Sequence, residues 1–434
     1  MGDLRDLQEA IKHVEEALAA TRQGHPHRAI IHSSLGGMHI KMFGCTDDLG
    51  DVQKAITHSQ DALAATPQDH PNRMGIHDKL GKGFSARFER LGELGDLTKS
   101  VKHSEEALAS TPQDHPKRGA VHNNLALRLA SRFERMGDTG DLQKAVEHGE
   151  EALAATPHDD PDRARRHSTL GVMLFTRFRR IGDIGDLSRA IENSEEALAV
   201  SAQDHPHRAE VHNSLTRAFK ERFERTGDLD DLQNSIKHGE EALAATPQYH
   251  HTRVDIHGNL AMGLSQRFER VGDLDDLQKA IKHSQESLDA TPQDHPHRAA
   301  RHTNLAAEFA SRFGRIGELK DLEIAIMHGE KALEASPRDH ADRATMCNNL
   351  GIWLSGRFKC IGNVDDIQKA IKLGEEALAA TPENHPLRVT AHSSLGGNFS
   401  ARFEQMGDLG DLEKAIIHKE KALEACPKDH PDRA

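Results

Sequence analysis

Histidine is the residue type whose number and spacing in this chain could support chemistry, because an imidazole can bind a transition metal or exchange a proton near neutral pH. The 434 residues include 31 His, and most of them recur in three columns with a step of 45 residues. The first column is His32, His77, His122, His167, His212, His257, His302 and His392, with Cys347 in the remaining place. The second is His13, His58, His103, His148, His238, His283, His328 and His418, and the third, mostly in D-H-P segments, includes His70, His115, His205, His295, His340 and His430.

These columns lie on a repeat that runs along the whole chain without an insertion or deletion. Its apolar markers are the position of the Leu in D-L-x-x-A-I and a Phe column with the same step. The first series is Leu7, Val52, Leu97, Leu142, Leu187, Leu232, Leu277, Leu322, Ile367 and Leu412, and the second is Phe43, Phe88, Phe133, Phe178, Phe223, Phe268, Phe313, Phe358 and Phe403. So regular a period indicates one supersecondary unit stacked on copies of itself.

The residue pattern of each repeat predicts two helices. Between Pro71 and Arg90, the residues Met74, His77, Leu80, Phe84 and Phe88 fall at steps of three and four, which is one helical face. We name this element helix A, with proline in its first turn and Gly92 closing it.

The second helix of the repeat, helix B, is predicted between Asp96 and Ser110. Asp96 is expected to be its N-cap. Thr111-Pro112 ends it, because a residue before proline is pushed out of the α region.

We predict an all-α fold, a right-handed α-solenoid superhelix of antiparallel helix pairs that forms a single array over residues 1–434. A lone helix B occupies 1–24, nine A–B pairs occupy 25–427, and 428–434 is the start of a truncated further repeat.

This arrangement weighs against metal binding within a histidine column. Neighbouring helices pack roughly 8–10 Å apart, so equivalent positions one repeat apart lie on the order of 20 Å apart. A metal needs histidine nitrogens about 2 Å away. Ligation between columns stays open but has no diagnostic spacing. We therefore expect the helix A histidines to be partly buried with one nitrogen hydrogen-bonded, the loop histidines to order helix starts, and no metal or cofactor to be bound.

The repeat resembles the tetratricopeptide repeat, in its longer kinesin-light-chain-like variety. The resemblance lies in a Leu-Gly or Leu-Ala pair in helix A, whose leucine we call the motif leucine, and in two Ala and a Pro of helix B. Examples are Leu35-Gly36, Leu80-Gly81, Leu125-Ala126, Leu170-Gly171 and Leu350-Gly351, with Ala55, Ala62 and Pro67. Histidine replaces the usual bulky residue three positions before the motif leucine. The resemblance implies a non-enzymatic scaffold with a concave groove that holds a partner's peptide.

Composition limits the partners and the compartment. The net charge of −13 disfavours nucleic acid, whose affinity depends on Lys and Arg that neutralise phosphates. The four cysteines, Cys45, Cys347, Cys360 and Cys426, form no disulfide framework, which favours a reducing compartment. There is no signal-like apolar start and no membrane-spanning run. We expect a cytoplasmic protein that binds neither nucleic acid nor membrane.

The variable positions of helix A predict where a partner binds. The position two residues after the motif leucine differs among repeats: Gly37, Lys82, Leu127, Val172, Arg217, Met262, Ala307, Ile352 and Gly397. Asparagines before that leucine could pair with a peptide backbone, and Lys and Arg could supply charge contacts. Neutral drift of exposed positions is the alternative explanation. The candidate groove residues are Lys79, Asn123, Asn124, Asn213, Arg217, Lys220, Asn259, Asn304, Asn348, Asn349 and Trp353.

The sequence thus favours a protein-protein interaction scaffold over an enzyme, because repeat columns hold like residues far apart whereas catalysis needs different groups to converge. We expect an acidic or amphipathic peptide near repeats four to seven. The alternatives are a structural or sensor arm of a larger multidomain assembly and, less favoured, histidine-mediated metal binding. Self-association through the uncapped C-terminal end is also left open.

Overall fold

The computed structural model describes residues 2–203, 205, 207–248, 250–337, 340, 342–383 and 385–425. This part of the chain forms nineteen α-helices and no β-strand. They are α1 (Gly2–Ala20), α2 (His27–Thr46), α3 (Leu49–Ala64), α4 (Arg73–Leu91), α5 (Leu94–Ala109), α6 (Arg118–Met136), α7 (Thr139–Ala154), α8 (Arg163–Ile181), α9 (Ile184–Val200), α10 (Arg208–Thr226), α11 (Leu229–Ala245), α12 (Arg253–Val271), α13 (Leu274–Asp289), α14 (Arg298–Ile316), α15 (Leu319–Ala335), α16 (Arg343–Ile361), α17 (Val364–Ala379), α18 (Leu387–Met406) and α19 (Leu409–Ala425).

The helices from α2 onward alternate between the two predicted types, with even-numbered helices as A and odd-numbered helices as B, and α1 is a B helix that stands before the first pair. Within each of two compact units, residues 1–218 and 219–434, a B helix packs on its own A helix and on the next one. The predicted all-α fold of helix pairs is confirmed. The right-handed course of the array and its bounds at 1–24, 25–427 and 428–434 stay predictions, and residues 426–434 lie outside the described part. No described helix combines the length and the apolar character that crossing a lipid bilayer requires.

Glycine ends helix A as predicted. Gly92 has a φ of 70°, and its N–H donates to the carbonyl oxygen of Phe88 at 2.7 Å. A positive φ is readily adopted by glycine, which lacks Cβ. The predicted start was wrong, because α4 begins at Arg73 and Pro71 belongs to the preceding turn. Arg73 also fixes this turn, since its Nη1 donates to the carbonyl oxygen of Thr66 at 2.9 Å.

The prediction that Asp96 caps helix B was also wrong. Helix α5 begins at Leu94, and Glu93 occupies the N-cap position. Asp96 lies in the first turn and is buried. Its two carboxylate oxygens accept hydrogen bonds from Nε and Nη2 of Arg87, both at 2.6 Å, and these bonds compensate for the burial of the charge. The same pair recurs as Arg132–Asp141, Arg177–Asp186, Arg222–Asp231, Arg267–Asp276, Arg312–Asp321, Arg357–Asp366 and Arg402–Asp411.

Removing one arginine of this series should be costly. Arg87→Met leaves the buried Asp96 carboxylate without its bidentate partner, and we expect the free energy of unfolding to fall by about 3 kcal/mol. Chemical denaturation measures the change. The matched control is Lys279→Met, which breaks an ion pair with Asp275 whose two side chains are both more than half exposed, and it should leave the denaturation midpoint unchanged. Equal effects of the two substitutions would contradict a structural role for the buried pair.

Candidate functional site

The A helices of the first unit carry exposed apolar residues at one repeated position. Leu125 and Leu170, the motif leucines of α6 and α8, are buried. Two residues later the helix has turned by about 200°, and Leu127 and Val172 are 42% and 49% exposed. This position therefore lies on the helix face opposite the core.

Two adjacent depressions lie along α8 on this face. One has a volume of about 420 Å³ and is lined by Phe133, Phe175 and Arg217 among others. The second, of about 580 Å³, is lined by residues that include Leu127 and Met173. Both include Glu134 and Val172, and both extend from α6 across α8 to α10. We call these two depressions together the A-helix groove.

Cationic side chains outnumber acidic ones in one of the two depressions of the A-helix groove, whereas the other also holds acidic residues beside its arginines. Arg179, Arg180 and Arg217 all line the 420 Å³ depression. The Arg217 guanidinium lies 5.1 Å from the centre of the Phe175 ring, a cation–π distance that fixes both side chains. The groove thus combines an apolar strip with a cationic end.

Several predicted groove residues lie between successive A helices, where they bond within the protein. Nζ of Lys79 donates to Oγ of Ser33 at 2.7 Å, and Nδ2 of Asn124 donates to Oδ1 of Asp78 at 3.0 Å. Each bond joins the residue before a motif leucine to the residue two before the previous one. Desolvation lowers the pKa of Lys79. These two side chains therefore hold neighbouring repeats together.

Burial removes three predicted residues from the open face. Asn123 is 1% exposed, and Asn348 is also buried. Trp353 is 8% exposed and packs in the core, where its ring lies 2.8 Å from the place that a Cβ on Gly329 would occupy. A glycine in helix B therefore makes the space that the only Trp fills.

The remaining predicted residues are accessible to different degrees. Arg217 and Asn304 are exposed, whereas Asn213, Asn259 and Asn349 are half-buried. Asn304 lines a separate depression of about 240 Å³ on α12 and α14. Lys220 is half-buried, and its Nζ lies 2.9 Å from Oε1 of Glu224. Of the predicted set, Arg217 alone lines the A-helix groove. A groove role for these residues stays a prediction.

The position three residues after the motif leucine holds buried ionisable groups in some repeats. The sequence alone did not identify this position. Arg128 is buried on α6, where its Nη1 donates to Oγ of Ser104, and desolvation lowers its pKa. Glu308 is buried on α14, and desolvation raises its pKa to about 7. The sequence signal that could have identified these buried groups is that charged and apolar residues share one repeat position, which also holds Met173 and Trp353.

The histidine columns of helices A and B meet inside several repeats of the described part of the chain. The Nδ1 atoms of the two rings lie 2.9–3.2 Å apart in six pairs among the described residues. These pairs are His32–His58, His77–His103, His122–His148, His257–His283, His302–His328 and His392–His418. The helix A histidines are buried, with one nitrogen paired, as the sequence analysis expected. What it missed is their partner, although a constant separation of 26 residues was the available signal.

Burial lowers the pKa of both histidines in each of these pairs. Desolvation is the largest cause throughout, and in several pairs the neighbouring ring adds to it. The pKa falls to about 4 for His103, His122, His257, His302 and His392. The paired rings are therefore neutral at physiological pH.

No protein-family model and no curated protein sequence matches this chain. Solved repeat-protein structures do match it. The C-terminal part of a TPR repeat-containing protein from Cytophaga hutchinsonii is 13% identical, with 69% of this chain and 95% of that one covered and a TM-score of 0.45. A Podosopora anserina protein, described as a putative kinesin light chain with nearly identical TPR-like repeats, is 18% identical, with coverages of 50% and 97% and a TM-score of 0.36. YrrB, described as a TPR protein with an unusual peptide-binding site, is 15% identical, with coverages of 55% and 96% and a TM-score of 0.35.

The class of protein that the helix pairs of this chain define is an all-α array of two-helix repeats, whose motif residues resemble those of the tetratricopeptide repeat. The class follows from the 45-residue alternation of A and B helices and from the buried motif leucines.

Proposed function

We propose that this chain is a non-enzymatic protein-binding scaffold and that the A-helix groove binds an acidic amphipathic segment of a partner protein. The observation that carries the proposal is the exposed apolar pair Leu127 and Val172, on successive A helices, next to Arg179, Arg180 and Arg217. Exposed apolar residues in a depression favour a partner that buries them, and arginines at one end favour carboxylates on that partner.

The dimensions of the groove suit a helical segment. It crosses three A helices, α6, α8 and α10, and its two depressions have volumes of about 420 and 580 Å³. An amphipathic helix in such a groove would place apolar side chains at i, i+3 or i+4 against Leu127 and Val172. Its acidic residues would then lie toward the arginine end. This location overlaps the peptide site that the sequence predicts at Arg217 and extends it toward α6.

The buried cysteine, Cys347, is poorly suited to nucleophilic catalysis. Cys347 is buried, and desolvation raises the pKa of its thiol. The protonated thiol is a poor nucleophile.

Selection from a displayed library of helical peptides tests the proposal on the full chain. We expect enriched peptides to be amphipathic and acidic. Replacing Leu127 and Val172 together by Asp should weaken their binding at least tenfold, because it puts charge where apolar side chains dock and adds repulsion toward acidic residues. Arg217→Glu should weaken binding by a similar factor. Fluorescence anisotropy with the labelled selected peptide measures each affinity.

The matched control is Ile352→Asp. Ile352 occupies the equivalent position on α16 and is 41% exposed, so the substitution repeats the chemistry outside the A-helix groove and should leave the affinity unchanged. Circular dichroism should show wild-type helix content for every variant. Enrichment of basic peptides, or equal affinity of the wild type and the double variant, would contradict the assignment of this groove.

A further inference from the structure

Three ligand atoms converge inside repeat six, where helices α12 and α13 meet. Nδ1 of His257 and Nδ1 of His283 lie 2.9 Å apart. Oε2 of Glu286, three residues after His283 on the same helix, lies 3.0 Å from the first nitrogen and 3.5 Å from the second. The three side chains thus place two nitrogens and one oxygen at the corners of a small triangle. The His257 corner is buried.

Hydrogen bonding alone does not satisfy this triangle. At 2.9 Å only one of the two Nδ1 atoms can carry a proton, since two N–H groups pointing at each other would collide. An ionised carboxylate only accepts. One N–H donor must therefore serve two acceptors, the other Nδ1 and the carboxylate oxygen. A second proton would make an imidazolium ion, and a charge is costly at the buried His257.

We propose that His257, His283 and Glu286 bind a divalent transition-metal ion, with Zn²⁺ as the best match. Neutral imidazole nitrogens and a carboxylate oxygen are common zinc ligands, at about 2.0–2.2 Å. Ligands at that distance in a tetrahedron lie roughly 3.3–3.5 Å from one another, so a small outward movement of the two rings makes room for the ion. Mg²⁺ and Ca²⁺ fit poorly because they prefer oxygen ligands.

The site would keep one position open. The Glu286 side chain is 43% exposed and closes the triangle on its outer side, so water can reach the ion. An ion held by His257 from α12 and by two residues of α13 would join helix A to helix B of one repeat. The consequence is a local clamp that stabilises repeat six.

The chain contains its own controls, because the histidine pair occurs both with and without the third ligand. His302 and His328 are 2.9 Å apart, as are His392 and His418. Lys331 and Lys421 stand where Glu286 stands in repeat six. A lysine ammonium offers no lone pair to a metal. These two pairs should therefore not bind the ion, although their rings are placed alike.

Repeats two and three also carry a glutamate at this position, Glu106 and Glu151, beside their histidine pairs. Among the described residues, one other cluster brings two histidines and a carboxylate similarly close together, namely His32, His58 and Asp61. Its carboxylate lies 3.7 Å from Nδ1 of His32, and the Asp61 side chain is 54% exposed. The longer separation and greater exposure predict weaker binding than at Glu286.

Metal binding to the tag-free, EDTA-treated full chain tests the proposal. Equilibrium dialysis against Zn²⁺ should give one tight equivalent that is absent in Glu286→Lys, a substitution that copies repeats seven and nine. Co²⁺ in place of Zn²⁺ should give the strong visible absorption of a tetrahedral site in the wild type, at least tenfold weaker in the variant. Zn²⁺ should also raise the melting temperature of the wild type more than that of the variant.

The reverse substitution, Lys331→Glu, places a carboxylate beside His302 and His328 and should raise the affinity of that pair for Zn²⁺. Circular dichroism without metal should be the same for all three proteins, which separates metal loss from misfolding. Equal zinc stoichiometry and equal cobalt spectra for the wild type and Glu286→Lys would show that exposed histidines bind the metal adventitiously, and the proposal would be overturned.

Discussion

The melting temperature of this chain should fall by roughly 10 °C or more when the pH is lowered from 7.5 to 5. The cause is the set of six histidine pairs, in each of which the helix A ring is buried and both rings have a lowered pKa. In the unfolded chain these histidines titrate near 6.5. Below that pH the unfolded chain binds protons that the folded chain does not.

The direction follows from proton linkage. Stability falls with falling pH wherever the unfolded state holds more protons, by about 1.4 kcal/mol per pH unit for each extra proton. The loss begins near pH 6.5 and continues toward pH 4, the folded value for His122 and His302. Many pairs contribute in neighbouring repeats, so the losses accumulate. Glu308 opposes them over part of this window, but it is a single group.

Repeat eight shows how to remove the pH dependence without opening a cavity. It carries Cys347 and Leu373 at the two places that a histidine pair occupies elsewhere, and both are buried in one apolar cluster. A variant that copies this pair, with His122→Cys and His148→Leu together with His302→Cys and His328→Leu, should lose less stability between pH 7.5 and pH 5. Thermal melts followed by circular dichroism across the window measure the slope.

The control replaces two exposed loop histidines, His70 and His385, by Asn, which can also accept a hydrogen bond from the backbone two residues on. Its pH dependence should match that of the wild type. If the wild type melts at one temperature throughout the window, the paired rings are not held neutral by burial.

The sequence predicted best those features that depend on residues within one helix. Apolar residues at steps of three and four give the helices, and Gly92 gives the end of helix A because a left-handed turn favours glycine. These features are local, so 45-residue copies repeat them. The all-α class and the helix pairing followed directly.

Contacts between helices were harder to foresee, because they depend on which faces meet. Aspartate is a residue type typical of N-caps, yet Asp96 forms a buried ion pair with Arg87 from the preceding helix. Asn123 and Asn124 are adjacent in the sequence, but one is buried and the other bonds Asp78. The histidine pairs likewise needed the angle between helices A and B. A variable column identifies neither burial nor exposure by itself, as Trp353 illustrates.

Glu308 is the other group with a large expected effect, and its sign is opposite to that of the histidines. Oε1 accepts from the hydroxyls of Ser284 at 2.7 Å and Ser265 at 3.2 Å, whereas Oε2 has no hydrogen-bond partner among the described residues. Burial without an opposing charge raises the pKa to about 7 from the ordinary 4.5. The folded chain therefore holds a proton that the unfolded chain releases.

Stabilisation by this proton is complete below pH 4.5 and is lost as the pH rises to about 7. A shift from 4.5 to about 7 corresponds to about 3 kcal/mol. At pH 8 the buried carboxylate is ionised at that cost. Glu308→Gln, which keeps the shape and an oxygen acceptor for both serines, should raise the free energy of unfolding at pH 8 by about 3 kcal/mol and change it little at pH 4.5.

Denaturation midpoints at the two pH values measure this difference, with Glu269→Gln as the control. Glu269 lines the same 240 Å³ depression but is exposed, so its neutralisation should matter little at either pH. A gain for Glu308→Gln that is equal at both pH values would mean that packing, not the carboxylate charge, sets the effect. A gain confined to high pH identifies Glu308 as a buried acid that the fold tolerates in its neutral form, because two serines can bond one oxygen but no cation reaches the other.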